Sequence, residues 1–155
     1  KMANIAQLIN VLQAVILTDG PRMLRTPTYH VFHMYKYHQD ADLVESYLDG
    51  VETIGEEKEY MVPSLQESVS VDKEGILTIT LNNLSVDKNE PVEITFAQCQ
   101  AKEVTAAILN NEMHAYNTFE DPDKVHEEVF TDYKIENGKI TFTMPACSVV
   151  MFRVK

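Results

Sequence analysis

Tryptophan is absent from this 155-residue chain, glycine occurs five times and cysteine twice. So little glycine leaves no glycine-rich phosphate loop and no nucleophile elbow of the G-x-S-x-G kind. Cys99 and Cys147 stand far apart, outside any CxxC or Cys/His arrangement, so a zinc site or a redox dithiol is not expected. Their strand-like surroundings suit small buried apolar side chains, with a disulfide as the lesser alternative. Without tryptophan, and with scattered tyrosines, the chain is poor in the exposed rings on which sugar-binding sandwiches stack their ligands. No apolar run reaches the roughly eighteen residues of a membrane helix. The longest stretch, residues 11–17, is interrupted by Gln13. The start, Lys1-Met2-Ala3-Asn4-Ile5, has one charge and no cleavage-site pattern, so it is not read as a signal peptide. It enters a helical pattern at once, as a truncated start would. With no export signal in view, the cytoplasm is the default location.

Hydrophobic residues make up 45%, too many for a disordered chain and enough for one domain with a core. The net charge of −11 is unevenly spread. Residues 1–41 carry Lys1, Arg22, Arg25 and Lys36 against Asp19 and Asp40, a balance of +2, and the remainder carries −13. Such an acidic segment repels phosphate backbones and anionic lipid, so neither nucleic acid nor a membrane surface is an expected partner.

The apolar pattern changes character near Ala41. Ile5, Leu8, Ile9, Leu12, Val15 and Ile16 recur at three and four, which predicts a helix over residues 3–17, ended by Asp19-Gly20-Pro21. Residues 23–25 can form a short strand. Thr26 or Thr28 can cap a second helix over about residues 29–38. Beyond Ala41, strands are predicted over residues 43–48, 64–71, 76–81, 92–96, 103–109, 125–132, 139–144 and 147–154, many alternating and rich in β-branched side chains. Asn137-Gly138 is a strong hairpin signal. Short strands with frequent turns indicate an antiparallel sandwich.

Candidate chemistry is sparse. Glu56-Glu57 and Glu127-Glu128 are neighbours, and neighbours on a strand face opposite ways, so they are read as solvated surface. The loop Glu120-Asp121-Pro122-Asp123 lacks calcium-loop spacing. His30 and His33 share one helix face, but no third ligand stands at a fitting spacing. His38 lies roughly on the far side, and His114 and His126 are isolated. Structural roles are expected for His30, His33 and His38, and surface or packing positions for His114 and His126. No metal or other cofactor is expected.

Two segments resemble a known family. Residues 4–14 (Asn-Ile-Ala-Gln-Leu-Ile-Asn-Val-Leu-Gln-Ala) with 17–20, and residues 26–35 (Thr-Pro-Thr-Tyr-His-Val-Phe-His-Met-Tyr) with 38–41, are similar to the end of the catalytic barrel in α-L-arabinofuranosidases of glycoside hydrolase family 51. Weaker likenesses are Val62-Pro63-Ser64-Leu65 and onward, Asn117-Thr118-Phe119-Glu120-Asp121-Pro122, and Ser148-Val149-Val150-Met151-Phe152.

The resemblance implies a mainly β fold: an antiparallel, jelly-roll-like β-sandwich over residues 42–155, preceded at 1–41 by a short α-helical remnant of a (β/α)₈ barrel. It implies a parent enzyme that removes terminal arabinofuranosyl groups from arabinose-containing oligosaccharides or polysaccharides with retention. That chemistry needs two carboxylates about 5 Å apart. In the family both lie upstream of the Asn-Ile-Ala-Gln segment, so no catalytic residue is assigned here and the chain alone is expected to be inactive. The expected role is to pack on the barrel, with assembly into homo-oligomers open. An independent carbohydrate-binding or interaction module is the alternative. Gln7 is the one candidate substrate contact, since a barrel helix starts at the substrate-binding face and a glutamine can both donate to and accept from sugar hydroxyls. Local capping or packing is the alternative for Gln7, and Asn4 is read as a helix cap.

Overall fold

The computed structural model describes residue 5 and residues 7–56, 60–97 and 100–155. The chain opens with a hairpin of β1 (Ile16–Asp19) and β2 (Arg22–Arg25), followed by one helix, α1 (Pro27–Tyr35), and a 3₁₀ turn over Lys36–His38. Strands then follow as β3 (Asp42–Leu43), β4 (Thr53–Ile54), β5 (Val62–Pro63), β6 (Leu65–Val71), β7 (Leu77–Asn83) and β8 (Glu90–Ile94). The last five are β9 (Val104–Asn110), β10 (Glu128–Val129), β11 (Tyr133–Glu136), β12 (Lys139–Met144) and β13 (Ser148–Val154). Every paired strand among the described residues is antiparallel: a six-stranded sheet is ordered β10-β9-β13-β7-β6-β3, a three-stranded sheet is ordered β11-β12-β8, and β1-β2 and β4-β5 form two-stranded sheets of their own. The expected mainly β, antiparallel sandwich with a short helical segment before it is what forms.

Alternation along the strands sorts side chains between two cores. On one side of the large sheet, Val150, Phe152 and Val154 of β13 join Ile79 and Leu81 of β7, Ile140, Phe142 and Met144 of β12, and Phe130. Ring centroids of Phe130, Phe142 and Phe152 lie 5.0–6.1 Å apart in edge and tilted geometries. Such pairs add about 0.5–1.5 kcal/mol each beyond their burial. On the other side, Met151 of β13 and Leu109 of β9 meet Met34 of α1 and Val125. Helix α1 therefore covers the face of the large sheet turned away from the small one.

Polar ties reinforce this docking. Asn82 Nδ2 donates to the Tyr35 hydroxyl at 2.9 Å. His38 spans two strands, with Nδ1 2.7 Å from Ser70 Oγ on β6 and Nε2 3.0 Å from Thr80 Oγ1 on β7. Arg153 on β13 pairs with Asp72 at 2.9 Å and lies 4.0 Å over the Tyr37 ring. Asp72 Oδ1 also accepts from the amides of Glu74 and Ile76, and so shapes the β6–β7 turn. At the β11–β12 turn, Asn137 (φ 52) and Gly138 (φ 75) are both left-handed, the backbone of the tight hairpin turn that Asn-Gly signals.

The expected first helix is not present among the described residues. Residues 7–15 form an irregular loop with left-handed Asn10 (φ 54) and Gln13 (φ 60), and the chain is already extended at Ile16. The cause is local competition for hydrogen bonds. The Leu8 carbonyl accepts from Val15 and Ile16, each at 3.0 Å. The Asn10 side chain exchanges two bonds with Thr18, at 2.8 and 2.7 Å. A lone helix would gain little here, because helices draw most of their stability from packing a face, and Leu12 is 95% exposed. Asn4, read as a cap, lies outside the described residues.

The second helix holds, starting two residues earlier than expected and tightening to 3₁₀ at Lys36. Thr26 occupies its N-cap position without capping it; its hydroxyl donates back to Ala14 O at 2.8 Å and Val15 O at 3.0 Å.

Met34 is fully buried between α1 and the sheet. Met34→Ala is expected to lower stability by about 2–4 kcal/mol in urea denaturation, through lost burial and a residual cavity.

Candidate functional site

The residues singled out for function fall on the first forty positions and on the sandwich loop facing them. Gln7 is exposed at the start of the loop that leads to β1. It does not start a helix, so the argument from a helix N-terminus does not apply to this backbone. Its neighbour Leu8 is held instead by the two amides of Val15 and Ile16. Ile9 bridges to Ile16, and Ile16 stands opposite Arg25 across the hairpin. The Thr26 amide closes the far end on Val15 O at 3.1 Å.

The exposed positions of this segment include several large apolar side chains among polar ones such as Gln7, Asn10 and Gln13. Leu8 is 60% exposed, Met23 61% and Phe32 48%, and Ile9 and Leu12 are exposed as well. Its inward residues Ala14, Val15 and Leu24 are buried.

The sandwich meets the hairpin through residues 117–125. Asn117 is buried, and its amide is fully used: Nδ2 donates to Arg25 O at 2.9 Å and Val125 O at 2.8 Å, and Oδ1 accepts from Val125 N at 2.6 Å. Around it the cationic N-terminal segment meets the acidic sandwich. Arg22 pairs with Asp19 and lies 3.6 Å from Glu120, with its guanidinium 4.7 Å from the Phe119 ring centroid. Arg25 pairs with Asp123 at 3.3 Å. Glu120 and Asp123 are thus engaged with arginines. The part played by Asn117 escaped the sequence reading, because nothing local marks a contact 92 residues away.

His33 and His30 both meet Glu127, one at its carboxylate and the other at its amide. His33 Nδ1 lies 2.6 Å from Glu127 Oε1 and its Nε2 2.7 Å from Lys36 Nζ, so neither nitrogen is directed with His30 at a common ion. His30 is buried, with Nδ1 3.5 Å from the Glu127 amide. Glu128 turns to His126 at 3.5 Å, so the adjacent glutamates serve different partners. No group of three or more His, Cys, Asp or Glu able to hold a metal occurs among the described residues. Cys147 Sγ lies 3.8 Å from Val86 O, and Cys99 lies outside the described residues.

Burial depresses the basicity of two of these rings. Desolvation lowers the pKa of His38 below 6.5. It also lowers that of His30, opposed by the charge of Glu127 and aided by that of Arg25. Both shifts favour the neutral ring in the folded state.

The family model for the α-L-arabinofuranosidase C-terminal domain matches residues 1–148. An intracellular exo-α-L-arabinofuranosidase of Bacteroides ovatus is 37% identical over 156 residues, taking in 100% of this chain and 30% of that protein. The crystal structure of a family 51 arabinofuranosidase from Xanthomonas axonopodis pv. citri superposes with a TM-score of 0.91 at 35% identity, over 99% of this chain and 31% of that one. A family 51 α-L-arabinofuranosidase from Bifidobacterium longum superposes at 0.85 with 22% identity, over 97% of this chain and 30% of that one, a likeness of fold alone. The chain belongs to the C-terminal domain family of α-L-arabinofuranosidases. It spans about 30% of the length of the curated relative it matches.

Because His30 and His38 bind protons less readily folded than unfolded, the stability they contribute is present above the unfolded pKa of 6.5 and is lost as pH falls through it. Thermal unfolding from pH 7.5 to 5 is expected to show a declining Tm. His38→Gln should flatten that decline, and an unchanged slope would remove His38 from the account.

Proposed function

We propose that this chain serves within a longer α-L-arabinofuranosidase as its non-catalytic C-terminal portion. Residues 1–41 join a (β/α)₈ barrel to the sandwich of residues 42–155, with α1 packed on the sandwich. The observation that carries this reading is the two-sided character of the first forty residues. One side is pinned to the sandwich by Asn117 and Met34, while Leu8, Leu12, Met23 and Phe32 face outward. An outward apolar surface on an otherwise acidic domain fits a second protein layer. The substrate of the complete enzyme is a terminal arabinofuranosyl group of an oligosaccharide or polysaccharide, cleaved by carboxylates that the barrel supplies.

Gln7 is assigned to the sugar. It is exposed beside the exposed Leu8, and its amide can donate to one hydroxyl and accept from another. In the complete enzyme, Gln7→Ala should lower kcat/KM for an aryl arabinofuranoside by about tenfold, the scale of one or two lost hydrogen bonds. An unchanged value would return Gln7 to a local structural role.

The 155-residue chain alone is expected to give no turnover of that substrate. Turnover abolished by altering one of its own carboxylates would contradict the assignment. A free-standing sugar-binding module is the competing reading, favoured by the exposed rings of Tyr47, Tyr60 and Tyr116. Titration of the chain with arabino-oligosaccharides should give a flat calorimetric trace, and heats that saturate would favour the module.

A further inference from the structure

We propose that Asn117 is a positioning residue, fixing the β1–β2 hairpin from the sandwich and thereby the backbone that carries Gln7. The hairpin is a separate two-stranded sheet. Such a pair is marginal in water by itself, and of its own apolar side chains Met23 is 61% exposed. Its geometry therefore depends on ties from outside.

Asn117 makes the best placed of these ties. Its buried amide donates to Arg25 O, Arg25 stands opposite Ile16, and the Ile16 amide donates to Leu8 O. One side-chain bond, one cross-strand pair and one backbone bond thus join the sandwich to the residue beside Gln7. The ion pairs around it, Arg22 with Glu120 and Arg25 with Asp123, are largely exposed. Pairs of that kind hold little free energy. A buried, directional amide bond costs more to lose, because its partners are left unsatisfied. The amide is also chemically specific. It donates to two carbonyls while accepting from the Val125 amide. Aspartate at this position keeps the acceptor and loses both donations.

The link to the sugar rests on the reading of Gln7 above, so the test separates the two. In this chain, amide exchange at Ile16 and Thr26 should quicken about tenfold or more in Asn117→Asp and in Asn117→Ala, with β7 and β13 unaffected. Asn111 holds the same loop through Lys124 O at 2.9 Å without touching the hairpin. Asn111→Ala should therefore exchange like the unaltered chain. If Asn117→Ala fails to fold, Asn117→Asp, which keeps the bond from Val125, carries the test.

In the complete enzyme, Asn117→Asp should raise KM for an aryl arabinofuranoside about three- to tenfold while kcat changes less than about twofold, as for a lost binding contact. Unchanged exchange at Ile16 and Thr26 overturns the positioning role. Faster exchange with unchanged KM, where Gln7→Ala does raise KM, overturns the connection to Gln7. Should Gln7→Ala leave kcat/KM unchanged, the sugar contact itself fails while the structural tie stands.

Discussion

Burial of the large sheet on both faces is the constraint from which the rest of this structure follows. On β13, Phe152 and Val150 face the small sheet and its aromatic cluster, while Met151 faces α1. A strand of that kind cannot leave one side to water without exposing large apolar area, at roughly 25 cal/mol per Å². The helix is consequently part of the sandwich's own core. Met34 lies inside it, Tyr35 and His38 bond to the sheet, and Arg153 stacks on Tyr37 while holding the β6–β7 turn through Asp72. Sequence character changes near Ala41, yet the packing runs continuously across that point.

Charge follows the same division. The arginines of the first forty residues meet carboxylates of the acidic remainder: Arg22 with Glu120 and Arg25 with Asp123. Being exposed or half-exposed, they orient the contact more than they stabilise it. Directional hold comes from Asn117, whose partners are two carbonyls and one amide. On this one short segment Met34 and Leu24 are buried, while Leu8, Leu12, Met23 and Phe32 stay exposed.

Much of this was legible in the residue pattern. The run Ser148–Val154 is apolar at nearly every position, as a strand buried on both faces should be. Asn137-Gly138 marked the hairpin that forms, and β6, β7, β9 and β12 fall within a few residues of their expected places. The first helix was misread because spacing at three and four does not reveal whether a partner surface exists. Here Asn10 and the Leu8 carbonyl find other bonds and Leu12 faces solvent. The two-residue strands β4 and β5 are too short to carry a period. Residues 43–48 and 125–132 shrink to β3 and β10 because they lie at the sheet edges, where one neighbour is missing. The tie from Asn117 to Arg25 depends on the closed fold, and no local pattern carries it. Family likeness, by contrast, was visible in the Asn-Ile-Ala-Gln and Thr-Pro-Thr-Tyr-His segments before any geometry.

The central claim is that the outward apolar side of residues 7–32 is covered by the catalytic portion of the enzyme. Hydrogen exchange across those residues, compared between this chain and the complete enzyme, addresses it most directly. The account predicts strongly increased protection in residues 8–12 and around Met23 and Phe32 in the complete enzyme, with β7 and β13 the same in both. Equal exchange in the two proteins would contradict it.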